Sequence, residues 1–170
     1  MRKFHLYYLL MLTMVLLTGS VSIFKENISA ISHYPLGYLL ILINNLLMAL
    51  LSISTMKKLC SRSVCLVAFL GYIIPVVLPY FSAGEFISEL HITLAFSGLI
   101  LLVGSIIKML YELSKLNYLL ARKLYNLCFI SAFVIVLIYS KFLLINGLME
   151  IIFTVTILSI FIQVEKAFNN

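Results

Sequence analysis

Few side chains in this sequence have the types and spacing for chemistry, and the densest group is short. Glu85, Glu89 and His91 lie within two helical turns of one another. Glu85 and Glu89 are four apart and share a face of any helix drawn through them. His91 lies about 200° round from Glu89. Carboxylates beside an imidazole are the residue types of general acid–base catalysis. His33 and Glu150 supply further groups of the same kinds elsewhere in the chain. Histidines and glutamates are also zinc-ligand types, but no HExxH-type spacing exists, so no metal is expected. No serine or cysteine nucleophile with a partner base can be named, so catalysis is the weaker reading and no cofactor is expected. Cys60, Cys65 and Cys128 form no CxxC pair and read as free thiols.

Composition says what must position these groups. Of 170 residues, 64% are apolar and 11% are charged. An ordinary soluble domain is about half apolar and about a quarter charged. The mean hydropathy of +1.17 excludes disordered, coiled-coil and disulfide-scaffold classes as well. A membrane-spanning helix needs about 20 mostly apolar residues. Six stretches qualify: about 4–24, 35–55, 64–81, 87–110, 125–145 and 148–164. The last two form one apolar block about 60 Å long as a helix, twice the hydrocarbon core, so it must turn, and Asn146-Gly147 is the turn signal. Backbone groups in lipid must pair internally, and long continuous apolar runs do so as helices. The expectation is an all-α polytopic membrane helix bundle of six transmembrane helices, a single domain over residues 1–170. If Arg2 and Lys3 open a signal peptide cleaved near Ser20-Val21-Ser22, the count falls to five.

Positive charge sorts to the cytoplasmic side. With the N-terminus inside, six crossings place Arg2, Lys3, Lys57, Lys58, Arg62, Lys108, Lys115, Arg122, Lys123 and Lys166 inside, and Lys25 and Lys141 outside. Ten of the twelve cations thus fall on one side, which supports a multi-pass protein of the cell membrane with both termini cytoplasmic. The net charge of +6 is then a matter of topology and of attraction to anionic lipid heads. Nothing supports nucleic-acid binding. Lys57, Lys58, Arg62, Lys115, Arg122 and Lys123 are candidate contacts to membrane lipids or to a protein partner at the cytoplasmic face. Over 108–124, Met109, Leu113, Leu116, Leu120 and Leu124 recur at helical spacing with charges between them, which reads as an amphipathic helix on the inner leaflet, or as the extended ends of the fourth and fifth spans.

The remaining polar groups collect towards the outer side. Lys25, Glu26 and His33 fall in the first outer loop, Glu85, Glu89 and His91 in the second, and Lys141, Asn146 and Glu150 around the last turn. Gly71, Pro75 and Pro79 share one face, and the prolines predict a bent or unwound outer end to the third span. His91, Ala95, Gly98, Leu102 and Ser105 form a stripe along the fourth span that permits close packing. Asn44 and Asn45 lie inside the second span, as interhelical glue or as a polar lining to a pocket. The candidate pocket set is therefore Glu85, Glu89, His91, Pro79, Asn44, Asn45, His33 and Glu150. For His91 the plainer reading is a hydrogen bond to a neighbouring loop.

The stretch Ile28-Ser29-Ala30-Ile31-Ser32-His33-Tyr34-Pro35-Leu36-Gly37-Tyr38, then Asn44 and Asn45, Gly71, Leu78-Pro79-Tyr80-Phe81-Ser82 and Leu90-His91, resembles the six-span family of Frag/DRAM/PGAP-type proteins, more closely its bacterial members of unknown function. The resemblance covers roughly residues 25–105. It implies the six-span fold and points to His91, Pro79 and Ser29; some eukaryotic relatives act in lipid-anchor remodelling. Three functions compete: a membrane protein with an outer-leaflet lipid or small-ligand pocket, a small immunity or protective membrane protein, and the substrate-binding subunit of a transporter.

Overall fold

A computed structural model describes residues 3–20, 28–80, 86–143 and 145–169, with the backbone alone at Lys3, Phe4, Ile28, Ser29 and His33. Among the described residues the chain is helical throughout, with six α-helices and no strand. They are α1 (Lys3–Gly19), α2 (Pro35–Met56), α3 (Arg62–Ile73), α4 (Phe86–Leu116), α5 (Tyr118–Phe142) and α6 (Gly147–Asn169). Two 3₁₀ turns accompany them, Ile28–His33 before α2 and Ile74–Val76 after α3.

Helices α2, α4, α5 and α6 are long and apolar enough to cross a membrane. Large apolar side chains such as Leu50, Ile100, Phe129 and Phe133 stay exposed, while Asn44, Ser52, Thr55, Ser88, His91 and Ser105 are buried. That arrangement suits a helix bundle whose solvent is lipid.

Local sequence sets the helix ends. Pro35 opens α2, where its missing N–H costs nothing. Of the two readings of 108–124, the structure takes the extended span ends over the separate amphipathic helix: the Asn117 amide closes α4 on Leu113 O at 2.8 Å, and Asn117 Oδ1 accepts from the Leu120 amide at 3.0 Å to cap α5. An asparagine side chain competes for backbone donors and so ends one helix and begins the next. The segment is thus the ends of two long helices. α4 extends past its expected limit at 110, and α5 starts seven residues before the expected 125 and stops at Phe142. Leu143 turns the chain with φ 54°, and Asn146 caps α6 through Oδ1 to the Met149 amide at 3.2 Å.

The chain divides into two compact units, Ser32–Ala121 and Met1–Ile31 with Arg122–Asn170. In the second of these α1 packs on α6, where the buried rings of Tyr7 and Phe161 stack with centroids 6.1 Å apart. The Thr156 hydroxyl lies 2.7 Å from both Ser131 Oγ on α5 and Ile152 O, so one proton serves one contact and the Ser131 hydroxyl the other.

In the Ser32–Ala121 unit, α3 packs against both α2 and α4. The face bearing Gly71 and Pro75 meets the stripe bearing Gly98 and Leu102. A Cβ on Gly71 would stand 2.7 Å from the Leu102 amide nitrogen and 2.9 Å from Gly98 O. A Cβ on Gly98 would strike the Pro75 ring. Two glycines therefore permit this crossing. Between α2 and α3 the Ser52 and Tyr72 hydroxyls bond at 2.9 Å.

Candidate functional site

The expected third span, 64–81, is a helix only as far as Val76. Pro75 and Pro79 bring no N–H to a helical ladder, so α3 tightens to a 3₁₀ turn and the chain runs on through 77–80 without helix. Each carbonyl so released needs a donor, because an unpaired backbone group away from water is expensive.

Two neighbouring side chains supply donors, and a third takes up an amide of the segment. Tyr38 on α2 presents its hydroxyl to Val76 O at 3.0 Å and Val77 O at 3.1 Å, sharing one proton between them. His91 on α4 donates from Nδ1 to Leu78 O at 2.6 Å. A carbonyl only accepts, so Nδ1 carries the proton. Ser32 holds the last residue of the segment: its Oγ accepts from the Tyr80 amide at 3.0 Å and approaches Tyr80 O at 3.5 Å. The Tyr80 ring meets the His91 imidazole edge-on, centroids 5.8 Å apart. His91 is 7% exposed. Its placement is that of a clamp on unwound backbone.

Of the expected pocket set, Pro79 adjoins Leu78, the residue that His91 holds. Glu89 is exposed at the start of α4, on a different face from buried His91. Glu85 lies outside the described residues, as do Lys25 and Glu26. His33 falls in the 3₁₀ turn before α2, and its side chain is also outside the description. Pro79 is half-buried in the unwound segment. Asn44 is buried on the inner face of α2, while Asn45 is half-buried and donates to Ile41 O at 3.0 Å within its own helix. Glu150 is half-buried in the first turn of α6, in the other unit.

Two clefts lie at the opposite end of the Ser32–Ala121 unit, one on each side of the first half of α3. The cleft towards α2, of about 410 Å³, is lined by Ile53, Lys57, Arg62, Cys65, Leu66 and Phe69. The cleft towards α4, of about 300 Å³, is mostly apolar, with Val64, Val67, Ile100 and Leu101 among its walls and Lys108 at its edge. Lys108 and Lys115 both pair with Glu112 at 2.7 Å. Hydrogen bonds from Lys108, then from Lys115, hold the Glu112 carboxyl below its usual range. Lys57 and Arg62 have no carboxylate partner among the described residues. Lys58, Arg122 and Lys123 are exposed, the last two on α5.

Sequence reasoning missed the apolar walls Ile53, Leu66 and Phe69, the clamp role of Tyr38, and a buried acid near the end of α6. Glu165 is 2% exposed and accepts from Asn169 Nδ2 at 3.1 Å. The clamp had a signal: two prolines four apart free carbonyls, which require donors on adjacent elements. Among the described residues no cluster of three or more metal-ligand side chains occurs. No protein-family model, curated protein or solved structure matches this chain.

Proposed function

We propose that the chain is a six-crossing protein of the cell membrane, with both termini cytoplasmic, that holds a lipid or another small amphipathic molecule rather than transforming one. The carrying observation is the cleft between α2 and α3, a largely apolar trough also lined by two cations that have no carboxylate partner among the described residues. An apolar cavity with a few convergent polar groups is the usual form of a small-molecule site. His91, the strongest acid–base candidate, has Nδ1 committed to Leu78 O and so supports a positioning role.

The reach of α3 supports the crossing count. α3 with its 3₁₀ turn extends about 24 Å, most of a hydrocarbon core of about 30 Å, and residues 77–80 carry the chain on from there. The resemblance to Frag/DRAM/PGAP-type proteins points to the same count. The ten-to-two division of cations supports the orientation.

Native mass spectrometry of the protein released gently from its own membrane tests this reading. The expected result is a stoichiometric lipid adduct. A protein that carries no lipid, and takes none up when phospholipid is added, would overturn it. Impermeant labelling of Lys58→Cys and Lys141→Cys in sealed vesicles checks the topology, since the two must label from opposite faces.

A further inference from the structure

We infer that the cleft between α2 and α3 is a headgroup site for an anionic phospholipid. Lys57 and Arg62 take the phosphate, and Ile53, Leu66 and Phe69 take the first part of an acyl chain. This rests on the reading that the chain holds lipid, and adds which lipid and where.

Charge comes first. The segment from Lys57 to Val64 carries Lys57, Lys58 and Arg62 and no acid. Glu112, an acid on α4 in the same unit, is engaged by Lys108 and Lys115. Lys57 and Arg62 line one cleft without a carboxylate between them, so the cleft is a site for an anion. Arg62 is the first residue of α3, and the Ser61 side chain does not cap that helix. The positive end of the α3 dipole therefore reinforces the two side chains. Arginine adds a planar fork suited to phosphate oxygens.

Position then selects a lipid over a free anion. α2 is uncharged from Pro35 to Met56, and its first cation is Lys57 at the C-cap. The charges thus begin where the apolar helix ends, at the depth of lipid headgroups. Below them the wall is Ile53 on α2 and Leu66 and Phe69 on α3. Leu66 is 60% exposed, so this wall is open to the side rather than sealed inside the protein. A free phosphate would use the rim and leave the apolar wall uncovered.

The test is a native mass spectrometric titration of the full chain in mild detergent with dioleoyl phosphatidylglycerol and, separately, dioleoyl phosphatidylcholine. Phosphatidylglycerol should bind first, as a single adduct. The double variant Lys57→Gln/Arg62→Gln should weaken that adduct by about thirtyfold, the combined effect of two basic groups at a lipid surface. Both substitutions are at exposed positions, and the swap Lys57→Arg/Arg62→Lys should restore the preference. Lys141→Gln, in the last turn of α5 and outside every candidate contact set, should leave it unchanged. Equal binding of the two lipids, or an adduct indifferent to the double variant, overturns this inference while the lipid-holding reading stands. Release of phosphatidylglycerol by excess inorganic phosphate also overturns it, in favour of a free-anion site. Failure to bind either lipid overturns both.

Discussion

His91 Nδ1 lies 2.6 Å from the carbonyl oxygen of Leu78, thirteen residues before it, and this bond ties the start of α4 to the unwound chain after α3. It links two features that are local in sequence, a proline-broken helix and a histidine opening the next. His91→Ala should cost about 1–2 kcal/mol, because a part-buried carbonyl loses its donor. His91→Asn, which keeps a side-chain N–H, should recover part of that. Thermal unfolding in detergent, followed by circular dichroism, measures both. An unchanged midpoint for His91→Ala would mean that the clamp contributes nothing.

The crossing of α3 and α4 makes a sharper distinction among glycines. Gly71→Ala and Gly98→Ala should each destabilise by at least about 2 kcal/mol, since the added carbon meets backbone or a proline ring, neither of which can swing away. Gly104→Ala, on the same helix as Gly98 but with nothing within 4 Å of its Cβ position, should instead stabilise by up to about 1 kcal/mol through helix propensity. Unfolding midpoints of the three variants should therefore split two against one.

Leu143 holds a left-handed conformation, φ 54°, in the turn between α5 and α6. A leucine side chain is disfavoured there and glycine is not. Leu143→Gly should raise stability by about 0.5–1 kcal/mol in the same unfolding assay. A loss would show that the exposed leucine contributes more through its contacts than its backbone costs.

Cys60, in the loop between α2 and α3, has its thiol pushed up to about 11, first by burial and then by the neighbouring Cys65 and Glu112, with Lys108 pulling the other way. A raised thiol pKa means less thiolate at a given pH. At pH 8 the thiolate fraction should be about one in a thousand. Iodoacetamide labelling of the Cys60 peptide, read by mass spectrometry, should accelerate about tenfold per pH unit from pH 7 to 9.5 without levelling. A plateau near pH 8.5 would show an ordinary thiol.

The sequence by itself determined whatever depends on neighbours along the chain. Apolar runs of helical length made this an all-α membrane bundle, because backbone groups in lipid must pair within their own segment. Asn146-Gly147 marked the turn before α6, and Pro75 with Pro79 marked a helix end, since turn residues and missing N–H groups act locally. The stripe His91, Ala95, Gly98, Leu102, Ser105 was legible as a packing face, and all but the half-buried Ala95 are buried. Even locally, competing effects blurred the limits: Asn117 splits an unbroken amphipathic pattern.

Tertiary structure decided which polar groups meet. Spacing placed Glu89 near His91 along the chain, but the fold buries the histidine against Leu78 and leaves the glutamate exposed. The partners of the unwound segment come from three separate elements: Tyr38 and His91 donate to its carbonyls and Ser32 accepts from the Tyr80 amide. The cleft beside α3 likewise takes one wall from α2, and no periodicity along a single helix contains it. The reason is that partner choice depends on how closely two helices approach and at which rotation. Here the approach of α3 to α4 is set by Gly71 and Gly98, 27 positions apart, whose missing Cβ atoms have meaning only when the two helices are face to face.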